Sequence, residues 1–188
     1  MTALFDTPRL SVRMPDPGDA PFMLDILNTP GWLRFIGDRR VRTLDDARAY
    51  ITDVYLKAHA DQGYGAYVVT LRDTGLPIGV CGLFKRPYLP TPDLGYALLP
   101  AYEGQGYARE AASGVINHVT REAASAVINH VTGKATSGVI GYVARADLKA
   151  IVSETNARSI NLLEKLGFTF QERLRPPGED REILVYRL

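Results

Sequence analysis

Apolar and polar residues alternate along Thr7-Pro8-Arg9-Leu10-Ser11-Val12-Arg13, a period of two that predicts a half-buried strand. Pro15-Asp16-Pro17-Gly18-Asp19 is turn chemistry, and Asp19 is placed to cap a helix carrying Phe22, Leu24, Ile26 and Leu27. Asn28-Thr29-Pro30-Gly31 stops that helix. A second helix is predicted from Thr43, with Asp45 and Asp46 in its first turn, where the helix dipole favours negative charge. Its apolar face is Ala47, Tyr50, Ile51, Val54 and Tyr55. Residues 65–71 and 77–84 read as a hairpin around the turn Arg72-Asp73-Thr74-Gly75. After a proline-rich loop, Asp93 to Leu99 forms the next strand, and Glu103-Gly104-Gln105-Gly106-Tyr107-Ala108 leads straight into a helical pattern. Strands at 148–152, 168–170 and 183–186, with a helix from Asn156 or Ala157 to Leu166, complete an α+β or mixed α/β chain.

The chain has 188 residues, the size of one domain that buries a core without disulfides or structural metal. Lys plus Arg total 22 against 21 Asp plus Glu, so no charge excess points to nucleic acid or an anionic membrane. The lone Cys81 excludes an internal disulfide and a Cys-rich zinc site, and we expect no metal. No apolar run approaches the ~20 residues of a membrane span. The first residues carry no basic region followed by an apolar stretch, so a cytoplasmic location is expected.

Arg109 to Thr120 is followed by its near copy, Arg121 to Thr132, differing only at Gly114 and Ala126. A degraded third copy runs from Gly133 to Ala144. Apolar residues recur every fourth position, so the stripe drifts roughly 40° per step around an α-helix and a flat sheet covers it for about three turns. We therefore expect a break near Thr132-Gly133 and a repeat insertion at about 121–144 in a single domain. Copy two would protrude, swap or pack on a second copy of the chain as a homodimer. His118 and His130 are repeat-related helix positions rather than candidate ligands.

The glycines of 103–108 let backbone N–H groups turn outward at a helix N-terminus, an anion site suited to a pyrophosphate. A dinucleotide fingerprint would need a third glycine where Arg109 stands, and a Walker loop would need Gly-Lys-Ser/Thr.

Leu94 to Pro100 followed by Tyr102-Glu103-Gly104-Gln105-Gly106-Tyr107-Ala108-Arg109-Glu110-Ala111 resembles motif A of the GNAT N-acetyltransferases. Asn156 to Phe168 resembles motif B, and the stretch from Thr7 through Ile51 is similar to the ribosomal-protein N-terminal acetyltransferase branch. The resemblance implies a twisted, mostly antiparallel sheet with splayed middle strands flanked by helices. It implies acetyl-CoA as cosubstrate and a primary amine as acceptor. The pyrophosphate would lie on the N–H groups of Gln105, Gly106, Tyr107 and Ala108, with Arg109 adding charge. The pantetheine arm would lie along Tyr96, Ala97, Leu98 and Leu99, with a main-chain N–H near Leu98 as oxyanion donor. Asn156 and Ser159 match positions that contact the cofactor or its sulfur. Glu103 replaces a basic or amide residue, so its carboxylate is expected to face away from phosphate.

Acetyl transfer needs a neutral amine, hence a base. Asp93, opening the motif A strand, and Glu154, preceding motif B, are the candidates, with a water chain as the alternative. The family's tyrosine acid falls on Leu163, which removes the usual phenol. Cys81 reads as a structural thiol. Trp32, Phe35, Phe84, Arg86 and Tyr88 are candidates for acceptor recognition. Two rival readings are a non-catalytic acyl-CoA-binding module and an engineered duplication of such a scaffold with incidental activity.

Overall fold

A computed structural model of the chain describes residues 2–131 and 145–188, with no side-chain placement for 122–131 or 146. Among the described residues eight strands form one sheet: β1 (Phe5–Asp6), β2 (Leu10–Arg13), β3 (Ala66–Leu71), β4 (Pro77–Phe84), β5 (Asp93–Leu98), β6 (Lys149–Ser153), β7 (Thr169–Leu174) and β8 (Ile183–Arg187). Their order is β1-β2-β3-β4-β5-β6-β8-β7, and every pairing is antiparallel except β5 with β6.

The helices are α1 (Ala20–Leu27), α2 (Pro30–Phe35), α3 (Leu44–Tyr50), a π turn (Ile51–Leu56) leading into α4 (Lys57–Gln62), α5 (Tyr107–Val131) and α6 (Ala157–Lys165). They cover both faces of the sheet, which is why β3 is buried along most of its length rather than alternating with solvent. On one face Tyr67 and Val69 pack with Ala111, Val115 and Leu163 from α5 and α6. On the other, Ala66 and Val68 pack with Met23, Ile26, Trp32, Ile51 and Tyr55.

Three local expectations change. Asp19 gives α1 no side-chain cap; Asp16 caps the preceding 3₁₀ turn, with Asp19 as the reciprocal partner of a capping box. The Asp19 carboxylate instead takes a two-pronged contact from Arg13, at 2.6 and 2.8 Å, in a nearly buried pair. Removing one partner of such a pair strands a buried charge, at about 3–5 kcal/mol. Second, Asn28-Thr29 ends α1 but also starts α2, because the Thr29 hydroxyl accepts from Trp32 N. Third, the wide π turn takes Val54 off the apolar face: Ala47, Ile51 and Tyr55 are buried while Val54 is 44% exposed.

α5 runs unbroken to Val131, about 37 Å at 1.5 Å per residue. Its first repeat copy buries Ala111, Ala112, Val115, Ile116 and Val119, the three-turn stretch that a sheet can cover. His118 stacks on Phe5, ring centroids 5.0 Å apart. The expected break at Thr132-Gly133 and the third copy lie outside the described residues. Among the described residues no helix is long and apolar enough to cross a membrane, and no cluster of His, Cys, Asp and Glu is arranged to hold a metal.

Candidate active site

Tight turning between the short 3₁₀ helix at Pro100–Tyr102 and α5 requires left-handed backbone at Gly104 (φ 75°) and Gly106 (φ 83°), a conformation natural to glycine. Glu110 N donates to Gly106 O, the first bond of α5. The N–H groups ahead of it, at Gly106, Tyr107, Ala108 and Arg109, are the unsatisfied donors of a helix N-terminus. No backbone acceptor among the described residues takes up these or the N–H of Gln105.

A residue that the sequence did not reveal holds this turn. Arg9 on the β1–β2 connection donates from Nη1 to Gln105 O at 3.0 Å, and its guanidinium lies 4.3 Å from the Tyr107 ring centroid. Its Nε and its backbone N both donate to the Glu110 carboxylate, at 2.7 and 2.8 Å. Thr7 Oγ1 donates to the same carboxylate at 2.7 Å. A trans peptide sets C=O and N–H antiparallel. Drawing the Gln105 carbonyl toward Arg9 therefore aims the Gly106 N–H the other way. In the sequence Thr7-Pro8-Arg9-Leu10 reads as a strand and as the start of the stretch resembling the ribosomal-protein acetyltransferase branch, with no site role for Arg9; 96 residues separate Arg9 from Gln105, and no local pattern links them.

Glu103 accepts from Arg158 of α6 at 3.0 Å, so the carboxylate at the start of the turn is partnered by a cation. Arg109 is exposed, and it makes no ion pair among the described residues.

β5 and β6 touch in register at one pair, Asp93 with Lys149, and then part. Leu99 N donates to Ile78 O, so alternation turns the amides of Ala97 and Leu99 toward β4. Those of Tyr96 and Leu98 then face the opened side. A cleft of about 690 Å³ reaches this gap, and its lining includes Asp93, Tyr96, Ser153, Asn156 and Ser159.

Tyr96 spans the gap. Its hydroxyl is 2.6 Å from Ser159 Oγ on α6, and burial pushes the phenol up to about 12. Asn156 caps α6 through Oδ1, which accepts from Ser159 N at 3.2 Å, and also lines the cleft. Leu163 is buried in the core, so α6 brings no phenol from that position. The motif resemblance places Tyr96 on the strand beside the pantetheine arm, but the position of its hydroxyl follows only from its meeting with Ser159 across the gap.

Asp93 is 1% exposed and accepts from Arg86 Nε at 3.0 Å. Burial raises its carboxyl above the ordinary range, and the Arg86 guanidinium pulls the other way. Glu154, in contrast, is exposed, lies outside the cleft lining, and pairs with Arg173 at 2.6 Å, which holds its carboxyl down. Of the two candidate bases, the fold brings only Asp93 into the cleft. Trp32, Phe35, Phe84, Arg86 and Tyr88 all line it as well. Cys81 is buried, with its thiol pushed up to about 12, so it stays protonated and inert.

The profile of the acetyltransferase (GNAT) domain matches residues 9–169. The chain belongs to the GNAT acetyltransferase family. Solved GNAT-type structures resemble it over nearly its whole length. An acetyltransferase from Agrobacterium tumefaciens is 27% identical, with 98% of this chain and 92% of that one covered and a TM-score of 0.70. A spermidine N-acetyltransferase from Vibrio cholerae, in complex with CoA and spermine, is 15% identical, with coverage of 97% and 96% and a TM-score of 0.69. The ribosomal L7/L12 alpha-N-protein acetyltransferase RimL, in complex with CoA, is 15% identical, with coverage of 98% and 96% and a TM-score of 0.65. At these last two identities the likeness concerns the fold. This GNAT enzyme thus has the mixed α/β architecture, with the mostly antiparallel sheet, that the motif resemblance implied.

Proposed function

We propose that this GNAT enzyme transfers the acetyl group of acetyl-CoA to a primary amine by direct attack within a ternary complex. The observation that carries the reading is the parting of β5 from β6 beside a turn whose N–H groups are unpaired. A pyrophosphate fits the amides of Gln105, Gly106, Tyr107 and Ala108, with Arg109 adjacent, and the extended arm fits along Tyr96 to Leu99. Acetyl-CoA supplies the activated acetyl group as a thioester.

The chain's own residues perform the rest. The Leu98 amide donates where negative charge develops on the acetyl oxygen. Asp93, directly or through water, takes the proton that an ammonium must lose. Its raised pKa makes it a better base than an ordinary carboxylate, and activity falls as pH drops through that pKa. The Tyr96 hydroxyl, oriented by Ser159, holds a proton for the departing sulfur. Asn156 braces the helix that carries Ser159.

A thiol-release screen with acetyl-CoA against N-terminal peptides and small amines tests this. Release with a subset of acceptors is expected; no release with any of them, together with no acetyl-CoA binding by calorimetry, ends the proposal. The missing phenol at Leu163 favours a binding-only module as second reading, and calorimetric binding without release would select it.

Arg9 is then a positioning residue. In Arg9→Met the KM for acetyl-CoA is expected to rise about tenfold, the scale of one charge-assisted hydrogen bond, with kcat within about twofold. Steady-state kinetics at saturating amine check it. A drop in kcat with unchanged KM would contradict the assignment.

A further inference from the structure

β5 and β6 part after Asp93 and Lys149, and the segments that follow the two strands are joined by an ion pair. Glu103, on the turn beyond β5, accepts from Nη1 of Arg158, in the first turn of α6, at 3.0 Å. The other carboxylate oxygen, Oε1, faces α2: a β-carbon added at Gly31 would stand 3.9 Å from it. The carboxylate therefore lies between the first turns of α2 and α6. Both side chains are open to solvent, Glu103 at 43% and Arg158 at 86% exposed. Nε and Nη2 of Arg158 make no hydrogen bond to a described residue.

This placement has an electrostatic consequence. Glu103 stands just ahead of Gln105, where the outward amides begin, and a carboxylate there repels a pyrophosphate held on them. Arg9 is committed to the Glu110 carboxylate and the Gln105 carbonyl, so it does not cancel that charge. Arg158 is the cation that touches Glu103. Its own helix gives it no reason to be there, since the dipole disfavours a cation in the first turn. Its fork has donors to spare, and a guanidinium bonds phosphate through two parallel N–H groups.

We infer that Arg158 is a further cofactor-binding residue, the cation of the phosphate turn, which neutralises Glu103 through Nη1 and donates from Nε and Nη2 to the pyrophosphate of acetyl-CoA. The inference rests on the acetyl-transfer reading and adds a residue to its cofactor site. The turn draws its amides from one arm of the gap and its countercharge from the other, so the cofactor tail ties α6 to the start of α5.

Calorimetry of acetyl-CoA binding compares the parent with Arg158→Gln, Glu103→Gln and the double variant. Arg158→Gln is expected to weaken binding about tenfold or more, because it removes a charge-assisted contact and leaves Glu103 unneutralised. Glu103→Gln should tighten binding about threefold, and the double variant should recover to within about threefold of the parent. Arg158→Lys, which keeps the charge without the fork, should also stay within about threefold. Thermal midpoints should all lie within about 2 °C of the parent, since an exposed ion pair adds little to stability. A pair that only braced the turn against α6 would be broken by either substitution. Both would then weaken binding and the double variant would not recover, a pattern that overturns the inference, as does Arg158→Gln within about twofold of the parent. 3′-Dephospho-CoA checks which phosphate is involved: the loss in Arg158→Gln should persist with it, and its disappearance would overturn the pyrophosphate assignment. No acetyl-CoA binding by the parent defeats the acetyl-transfer reading; parental binding that ignores Arg158 defeats only this inference.

Discussion

Replacing Tyr96 by phenylalanine is expected to lower kcat by about two orders of magnitude while the KM for acetyl-CoA moves less than about threefold. An acetyltransferase must return a proton to its leaving sulfur, and the position on α6 that would bring a phenol is Leu163, buried in the core. Tyr96 provides one from the facing strand, 2.6 Å from Ser159 Oγ. Burial disfavours the phenolate, so the hydroxyl titrates only near 12 and stays protonated across any ordinary assay. Tyr96→Phe should therefore depress the rate by the same factor from pH 6 to about 9, leaving the shape of the profile to Asp93 and the amine. The substitution costs about 1 kcal/mol of hydrogen bonding, too little to unfold the domain. Ser159→Ala should act in the same direction but more weakly, since it removes the partner and not the proton. A Tyr96→Phe enzyme at parental kcat would remove Tyr96 from the chemistry.

Gly106→Val should weaken acetyl-CoA binding about a hundredfold in calorimetry, with a thermal midpoint only a few degrees lower. At φ 83° a β-branched residue is strained, by roughly 1–2 kcal/mol or more. The added Cβ would also sit 3.4 Å from Arg9 Nη2, so further branching presses on the guanidinium that holds the Gln105 carbonyl. Relief requires the peptide to rotate, which turns the Gly106 N–H away from its outward direction. Gly104→Ala, at φ 75° with open space around it, should suffer the backbone strain alone and bind with an intermediate loss. Affinity within about threefold of the parent in Gly106→Val would mean that the turn does not hold the phosphates.

Much of this was legible residue by residue. The hairpin of β3 and β4, the strand opening at Asp93, and the Gly104–Gly106 turn announce themselves over short windows, because side-chain period and left-handed φ are local demands. The candidate base narrowed only in three dimensions. Asp93 and Glu154 each flank a strand in the sequence, but the chain folds one into the cleft beside Arg86 and turns the other outward to Arg173. α2 escaped notice because Asn28-Thr29-Pro30-Gly31 is equally good at ending one helix and, through Thr29, starting another.

By itself the sequence determined most of the elements along the chain, the glycine turn at Gly104 and Gly106 and the acetyltransferase family, since each depends on neighbours a few positions apart. Only the tertiary structure decided which groups work together. Tyr96 meets Ser159 across 63 residues, and Arg9 grips Gln105 across 96. Those meetings follow from how helices seat on the two faces of a parted sheet, a packing outcome with no short-range signature.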